Sequence, residues 1–130
     1  MNKSGPILIV EDDEAILTTL ELTLEDEGYE VLTASDGAAA LDLLERQLPA
    51  LILLDMKMPV MDGWKFAQAY RARPEPRAPV LVVTAATDAA QRAVEIGADG
   101  YLAKPFEIDD LLELVGRHLV GPKEAPVVPA

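Results

Sequence analysis

Leu51-Ile52-Leu53-Leu54-Asp55-Met56-Lys57-Met58-Pro59 is the stretch on which the fold turns. A short, uninterrupted apolar run bounded by a turn signal reads as a strand buried on both faces of a parallel sheet. An aspartate ending that run falls where open α/β sheets place their chemistry, at the C-terminal edge of the strands. The same pattern recurs along the chain. Ile7-Leu8-Ile9-Val10 is followed by Glu11-Asp12-Asp13, Val80-Leu81-Val82-Val83 by Thr84-Ala85, and Tyr101-Leu102-Ala103 by Lys104-Pro105. Acids, a hydroxyl and a lysine at the ends of separate strands point to a site for a metal ion and a phosphoryl group.

On either side of this stretch, the spacing predicts strands over 7–10, 30–34, 50–54, 80–84 and 99–103. Between them apolar residues return at helical period: Ile16, Leu20 and Leu24; Ala40, Leu44 and Leu48; Phe66 and Tyr70. Ile108, Leu111, Leu112, Val115 and Leu119 form an amphipathic stripe after the last strand. The remaining helix, Asp88 to Ile96, is short and alanine-rich, and Asp88 with Gln91 has the spacing of a capping box. Gly28 and Gly97 stand where left-handed helix C-caps are expected. Strands alternating with helices imply βαβ units, and the expected architecture is a flavodoxin-like (βα)5 doubly wound parallel sheet of strand order 2-1-3-4-5. Residues 1–119 form one domain, and 120–130, with three prolines and no helical period, read as a disordered tail or the start of a linker.

Composition narrows the function. The chain has 130 residues, half of them hydrophobic, which suffices for one core. Its apolar runs are far shorter than a bilayer span, and no secretory segment precedes the first strand, so a soluble, intracellular and cytoplasmic protein is expected. A net charge of -12 disfavours nucleic acid and favours a basic or phosphate-carrying protein partner. With no cysteine, a metal has to be held by oxygen ligands, which favours magnesium over zinc. The basic stretch Arg71 to Arg77 reads as a solvated connection, and His118, the single histidine, as a solvated or dipole-compensating residue of the last helix rather than a phosphodonor. No glycine-rich nucleotide loop is present.

In the 2-1-3-4-5 order Asp12 and Asp55 lie at the ends of adjacent central strands with Glu11 beside them. A divalent cation relieves their mutual repulsion. Asp55 can then act as nucleophile toward a phosphoryl group, Lys104 supplies a cation for one of its oxygens, and the Thr84 hydroxyl and Ala85 N–H can donate to others. Asp13 belongs instead to the acidic first turn of a helix.

These segments resemble the receiver domain of two-component response regulators over nearly all of residues 6–119. The matching texts are Ile7–Glu14, Leu54–Gly63, Val83-Thr84-Ala85 and Gly97–Phe106. The resemblance implies that Asp55 accepts a phosphoryl group from the phosphohistidine of a histidine kinase or histidine phosphotransfer protein. It implies that Asp12 and Asp55 ligate Mg2+ directly, Glu11 through water, and Lys57 through its backbone carbonyl. Thr84 and Tyr101 are implied to be switch residues, reshaping the face of helix four, strand five and helix five toward an output domain or partner. A cis Lys104-Pro105 bond is implied as well. Such a protein turns over no outside metabolite. An alternative is a phosphorylation-independent pseudo-receiver, whose mark is loss of Asp12, Asp55 or Lys104, and all are present. An aspartyl phosphatase is disfavoured because the position two after Asp55 is Lys57 rather than an acid. Lys57 stands where it either overlooks the path of attacking water or points into solvent without effect, and Ala86 is too small to orient a water; the first of these, with Ala86, favours slow loss of phosphate. From Thr84 to Gly97 the chain is shorter than the family pattern, which bears on helix four and not on the chemistry.

Overall fold

Alternation within the apolar strands builds the fold. In the structure, a computed structural model, residues 5–74, 76–85 and 87–124 are described, 120–124 as backbone only. Strands β1 (Ile7–Val10), β2 (Val31–Ala34), β3 (Leu51–Leu54), β4 (Val80–Ala85) and β5 (Gly100–Lys104) alternate with helices α1 (Glu14–Asp26), α2 (Gly37–Leu44), α3 (Gly63–Arg71), α4 (Ala89–Ile96) and α5 (Ile108–Glu124). The sheet is parallel throughout in the order β2-β1-β3-β4-β5, as expected. Along β1 and β3 every residue is buried, and successive side chains serve opposite layers. Leu8, Val10, Ile52 and Leu54 pack with Phe66, Tyr70 and Ile96 under α2, α3 and α4. Ile7, Ile9, Leu51 and Leu53 pack with Leu20, Leu24, Leu111 and Val115 under α1 and α5. Each fully buried Leu or Ile stabilises by about 1.5–3 kcal/mol relative to exposure, so this two-layer burial dominates the fold.

Aspartates start the helices around the site. Asp13 caps α1, accepting from the Ala15 and Ile16 N–H groups, Asp36 caps α2 by accepting from Ala39, and Asp62 caps α3 by accepting from Lys65. The capping box expected at α4 does not form. Asp88 keeps near-helical dihedrals (φ -114°, ψ -16°) instead of the extended cap geometry, and its carboxylate turns to Arg92 at 3.7 Å. Gly97 ends α4 in the left-handed conformation, φ 65°, as expected.

Three expectations at the periphery are corrected. The α5 backbone stays helical to Glu124, past the expected end at Leu119, so residues 120–124 are helix rather than tail. Residues 125–130 and Ala86 lie outside the described residues. The Arg71–Arg77 stretch is more than solvated connection. Arg71 donates to the Ile96 carbonyl at the end of α4, and Arg73 donates to the Leu41 carbonyl and pairs with Glu45 at 3.0 Å, so guanidinium groups satisfy carbonyls that helix ends leave open. His118 is half-buried, with Nδ1 3.1 Å from the Leu114 carbonyl oxygen and Nε2 3.3 Å from that of Asp99, which ties α5 to the start of β5.

Candidate functional site

Register brings the expected residues together. Val10 pairs with Leu54, and the Asp55 N–H donates to the Val10 carbonyl at 3.0 Å, so Glu11 and Asp55 leave the sheet side by side. Thr84 pairs with Ala103 and Ala85 with Lys104 on the other side of β3. Among the described residues Glu11, Asp55 and Thr84 are the buried polar and charged ones, at 2%, 6% and 4% exposure, set in an otherwise apolar interior. Buried charge without partners is costly, and here the partners are present. Lys104 Nζ lies 2.9 Å from Glu11 Oε1 and 3.6 Å from Asp55 Oδ1. Glu11 Oε2 accepts from the Asp13 N–H at 3.1 Å, and Asp55 Oδ1 accepts from the Met56 N–H at 2.9 Å. Burial raises the Glu11 carboxyl above the ordinary carboxylate range, against the lowering effect of its Lys104 hydrogen bond, while the Asp55 charge adds to the rise.

Carboxylate oxygens of Glu11, Asp12 and Asp55 lie within 4.8 Å of one another, with Asp12 exposed at the rim. This all-oxygen set, open to solvent at Asp12, fits a hard divalent cation that retains several waters. Lys57 is exposed just past the same strand end, and Tyr101 on β5 is 49% exposed. The Lys104-Pro105 bond is cis, as the resemblance implies.

The loop that follows Asp55 is held by close backbone packing that residue types alone do not reveal. The Gly63 N–H donates to the Met56 carbonyl at 2.9 Å, and a Cβ on Gly63 would stand 2.7 Å from Met56 Cα and 2.9 Å from the Asp55 oxygen. Gly37 donates to the Met61 carbonyl at 3.0 Å and is crowded by the same residue. Between these anchors the Met61 N–H donates to the Pro59 carbonyl at 2.6 Å, a tight turn that forces Val60 to φ 65° with its side chain 81% exposed. A β-branched residue there stores roughly 1–3 kcal/mol of backbone strain. Val60→Gly is therefore expected to stabilise the protein by about 1 kcal/mol after glycine's own entropy penalty. Urea denaturation checks this, and an unchanged or lower midpoint contradicts it.

Comparison with known proteins agrees with this geometry. Residues 7–116 match the model of the response regulator receiver domain. The chain belongs to that family. The receiver is 43% identical over 120 residues to the response regulator protein FleR of Pseudomonas aeruginosa, covering 91% of this chain but 25% of FleR. It is 42% identical over 108 residues to the alkaline phosphatase synthesis transcriptional regulatory protein PhoP of Bacillus subtilis, covering 82% of this chain and 44% of PhoP. The receiver thus spans about half or less of the length of these relatives. Among solved structures, the chemotaxis response regulator CheY4 of Vibrio cholerae superposes with a TM-score of 0.79 at 36% identity, over 87% of this chain and 97% of that one. The receiver domain of the sensor histidine kinase PA1611 from Pseudomonas aeruginosa superposes with a TM-score of 0.81 at 34% identity, over 88% of this chain and 97% of that one. That structure carries a magnesium ion coordinated in its active site cleft. Receivers of this family are signalling switches of two-component systems. Among the described residues no helix is long and apolar enough to cross a membrane.

Proposed function

We propose that this receiver accepts a phosphoryl group on Asp55 from the phosphohistidine of a histidine kinase or histidine phosphotransfer protein, in a Mg2+-dependent reaction, and signals by the resulting change of conformation. The observation that carries the reading is the convergence of Lys104 Nζ on both Glu11 and Asp55, at 2.9 and 3.6 Å, beside a three-carboxylate cluster. An Asp55 oxygen attacks phosphorus in line with the departing imidazole nitrogen, the P–N bond breaks as the O–P bond forms, and the imidazole takes up a proton. Glu11, Asp12, Asp55 and the backbone carbonyl of Lys57 are the residues to hold the magnesium ion, which neutralises charge on the phosphoryl oxygens when bound. Lys104 exchanges its Glu11 contact for a phosphoryl oxygen. The Thr84 hydroxyl and the Ala85 N–H serve the remaining oxygens, and Tyr101 follows Thr84 inward.

An apolar groove of about 490 Å³ runs beside Lys104, lined by Ile16, Thr19, Ala85, Pro105, Phe106 and Ile108. It offers the phosphodonor's helix a seat within reach of Asp55. The partner or output domain reads α4, β5 and α5, the setting is cytoplasmic, and the receiver catalyses only its own phosphorylation and dephosphorylation. Lys57 beside the pocket shields the phosphoryl group from water and prolongs the signal.

Incubation with a ³²P-labelled histidine kinase core tests the reading. Label is expected to pass to the wild type in the presence of Mg2+ and to stay on the kinase with Asp55→Asn or with EDTA. Equal transfer to the Asp55→Asn protein contradicts it.

A further inference from the structure

Helix α4, which follows the Thr84 strand end, packs on the sheet largely through small side chains. The buried residues of α4 are Ala89, Ala93 and Ile96, two of them alanines that bury little apolar area, and Asp88 gives its first turn no side-chain cap. A polar cluster adds a second attachment, to α3. Trp64, in the first turn of α3, donates its indole N–H to Glu95 Oε1 at 2.8 Å. Arg92 lies 5.3 Å from the centre of the Trp64 ring and pairs with Glu95 at 2.8 Å and Asp88 at 3.7 Å. The indole hydrogen bond, ahead of the Arg92 pairing, holds the Glu95 carboxyl below its ordinary range.

Both helices joined by this cluster hang from the phosphorylation pocket. The N-terminus of α3 is fixed to the Asp55 strand end by Gly63 N–H to Met56 carbonyl, 2.9 Å, and α4 is fixed to the Thr84 strand end by Asp88 N–H to Ala85 carbonyl, 2.9 Å. A shift of the Thr84 strand end toward a group on Asp55 pulls on α4 through the Asp88–Ala85 hydrogen bond, and the cluster resists that pull. We propose that Trp64, Arg92 and Glu95 form a latch that holds α4 in its unphosphorylated seat and slows phosphorylation of Asp55, so that opening the latch is part of activation. The inference rests on Asp55 being the phosphoacceptor.

A consequence is readable because Trp64 is the sole tryptophan. Phosphorylation by acetyl phosphate and Mg2+ is expected to change Trp64 emission in the wild type as the indole loses its partners. Arg92→Ala, with alanine favourable in a helix, is expected to accept phosphate roughly three- to tenfold faster, the range of a typical coupling, and to lose most of the emission change. Glu95→Gln, which keeps the side chain's shape, is expected to act in the same direction and more weakly. Intact mass is followed on the same samples. A phosphoryl adduct that forms no faster in either variant, or with Trp64 emission constant in the wild type, overturns the latch and leaves the acceptor assignment standing. No adduct in any of the proteins overturns both.

Discussion

Asp12→Ala is expected to abolish the stabilisation that millimolar magnesium gives the wild type. A cation bound by the folded state alone stabilises it by RT ln(1 + [L]/Kd), about 2.7 kcal/mol at a hundredfold excess over Kd, which for a domain of this size is on the order of ten degrees in Tm. The carboxylates of Glu11, Asp12 and Asp55 crowd within 4.8 Å, so the variant without Asp12 also relieves repulsion and its metal-free stability should equal or exceed that of the wild type. Proton competition sets the pH dependence. The folded Glu11 carboxyl titrates above its unfolded value, so its neutral form contributes stability that is present at low pH and lost as pH rises through the raised folded value. Magnesium therefore restores most where the pH lies above that value, and its effect on Tm should shrink as the pH falls through it. Thermal melts with magnesium and with EDTA measure all of this. A full magnesium shift in Asp12→Ala contradicts the metal assignment.

Gly63→Ala is expected to be among the most damaging single-methyl changes in the protein. The added carbon meets backbone, Met56 Cα at 2.7 Å and the Asp55 carbonyl oxygen at 2.9 Å, and backbone cannot swing aside as a long side chain can. Overpacking of this kind costs about 1–3 kcal/mol or more, and the displaced atoms belong to Asp55 and to Met56 beside it. Phosphorylation should slow by more than the stability loss explains, because Asp55 is turned from its alignment with Lys104. Gly116→Ala on α5 is the matched control. Nothing lies within 4 Å of its added carbon, and removal of a helix-interior glycine should stabilise by about 0.5–1 kcal/mol. Urea melts and phosphorylation rates of the two variants check both, and a Gly63→Ala protein of wild-type stability and rate contradicts the packing account.

Much of this fold can be read from a few runs of residues. Ile7–Val10, Leu51–Leu54 and Val80–Val83 are apolar at every position because both sheet faces are covered, and that single fact implies parallel strands with helices on either side. Asp55, Glu11, Asp12, Thr84 and Lys104 were visible because strand ends concentrate chemistry at one edge. Less visible was whatever depends on approach between distant segments. The Asp88 and Gln91 spacing suggested a cap, but the Arg92 charge, itself drawn to Trp64 from another helix, reorients Asp88. The Trp64–Glu95 bond joins residues far apart in sequence whose types carry no periodic signal. Nothing in the sequence marks Gly37 and Gly63, and their role in clearing backbone around the loop after Asp55 follows from distances no spacing rule contains. His118 reads as solvated in the sequence because one of its carbonyl partners, Asp99, is distant in the chain and sits in the turn before β5.

In the function proposed above Asp55 is the phosphoacceptor, prepared by Lys104 and the carboxylate cluster. Intact mass spectrometry after incubation with acetyl phosphate, with magnesium or EDTA, on the wild type and on Asp55→Asn, decides it. One phosphoryl group is expected on the wild type with magnesium, and none with EDTA or on the variant; an adduct of the same yield on Asp55→Asn would contradict the account.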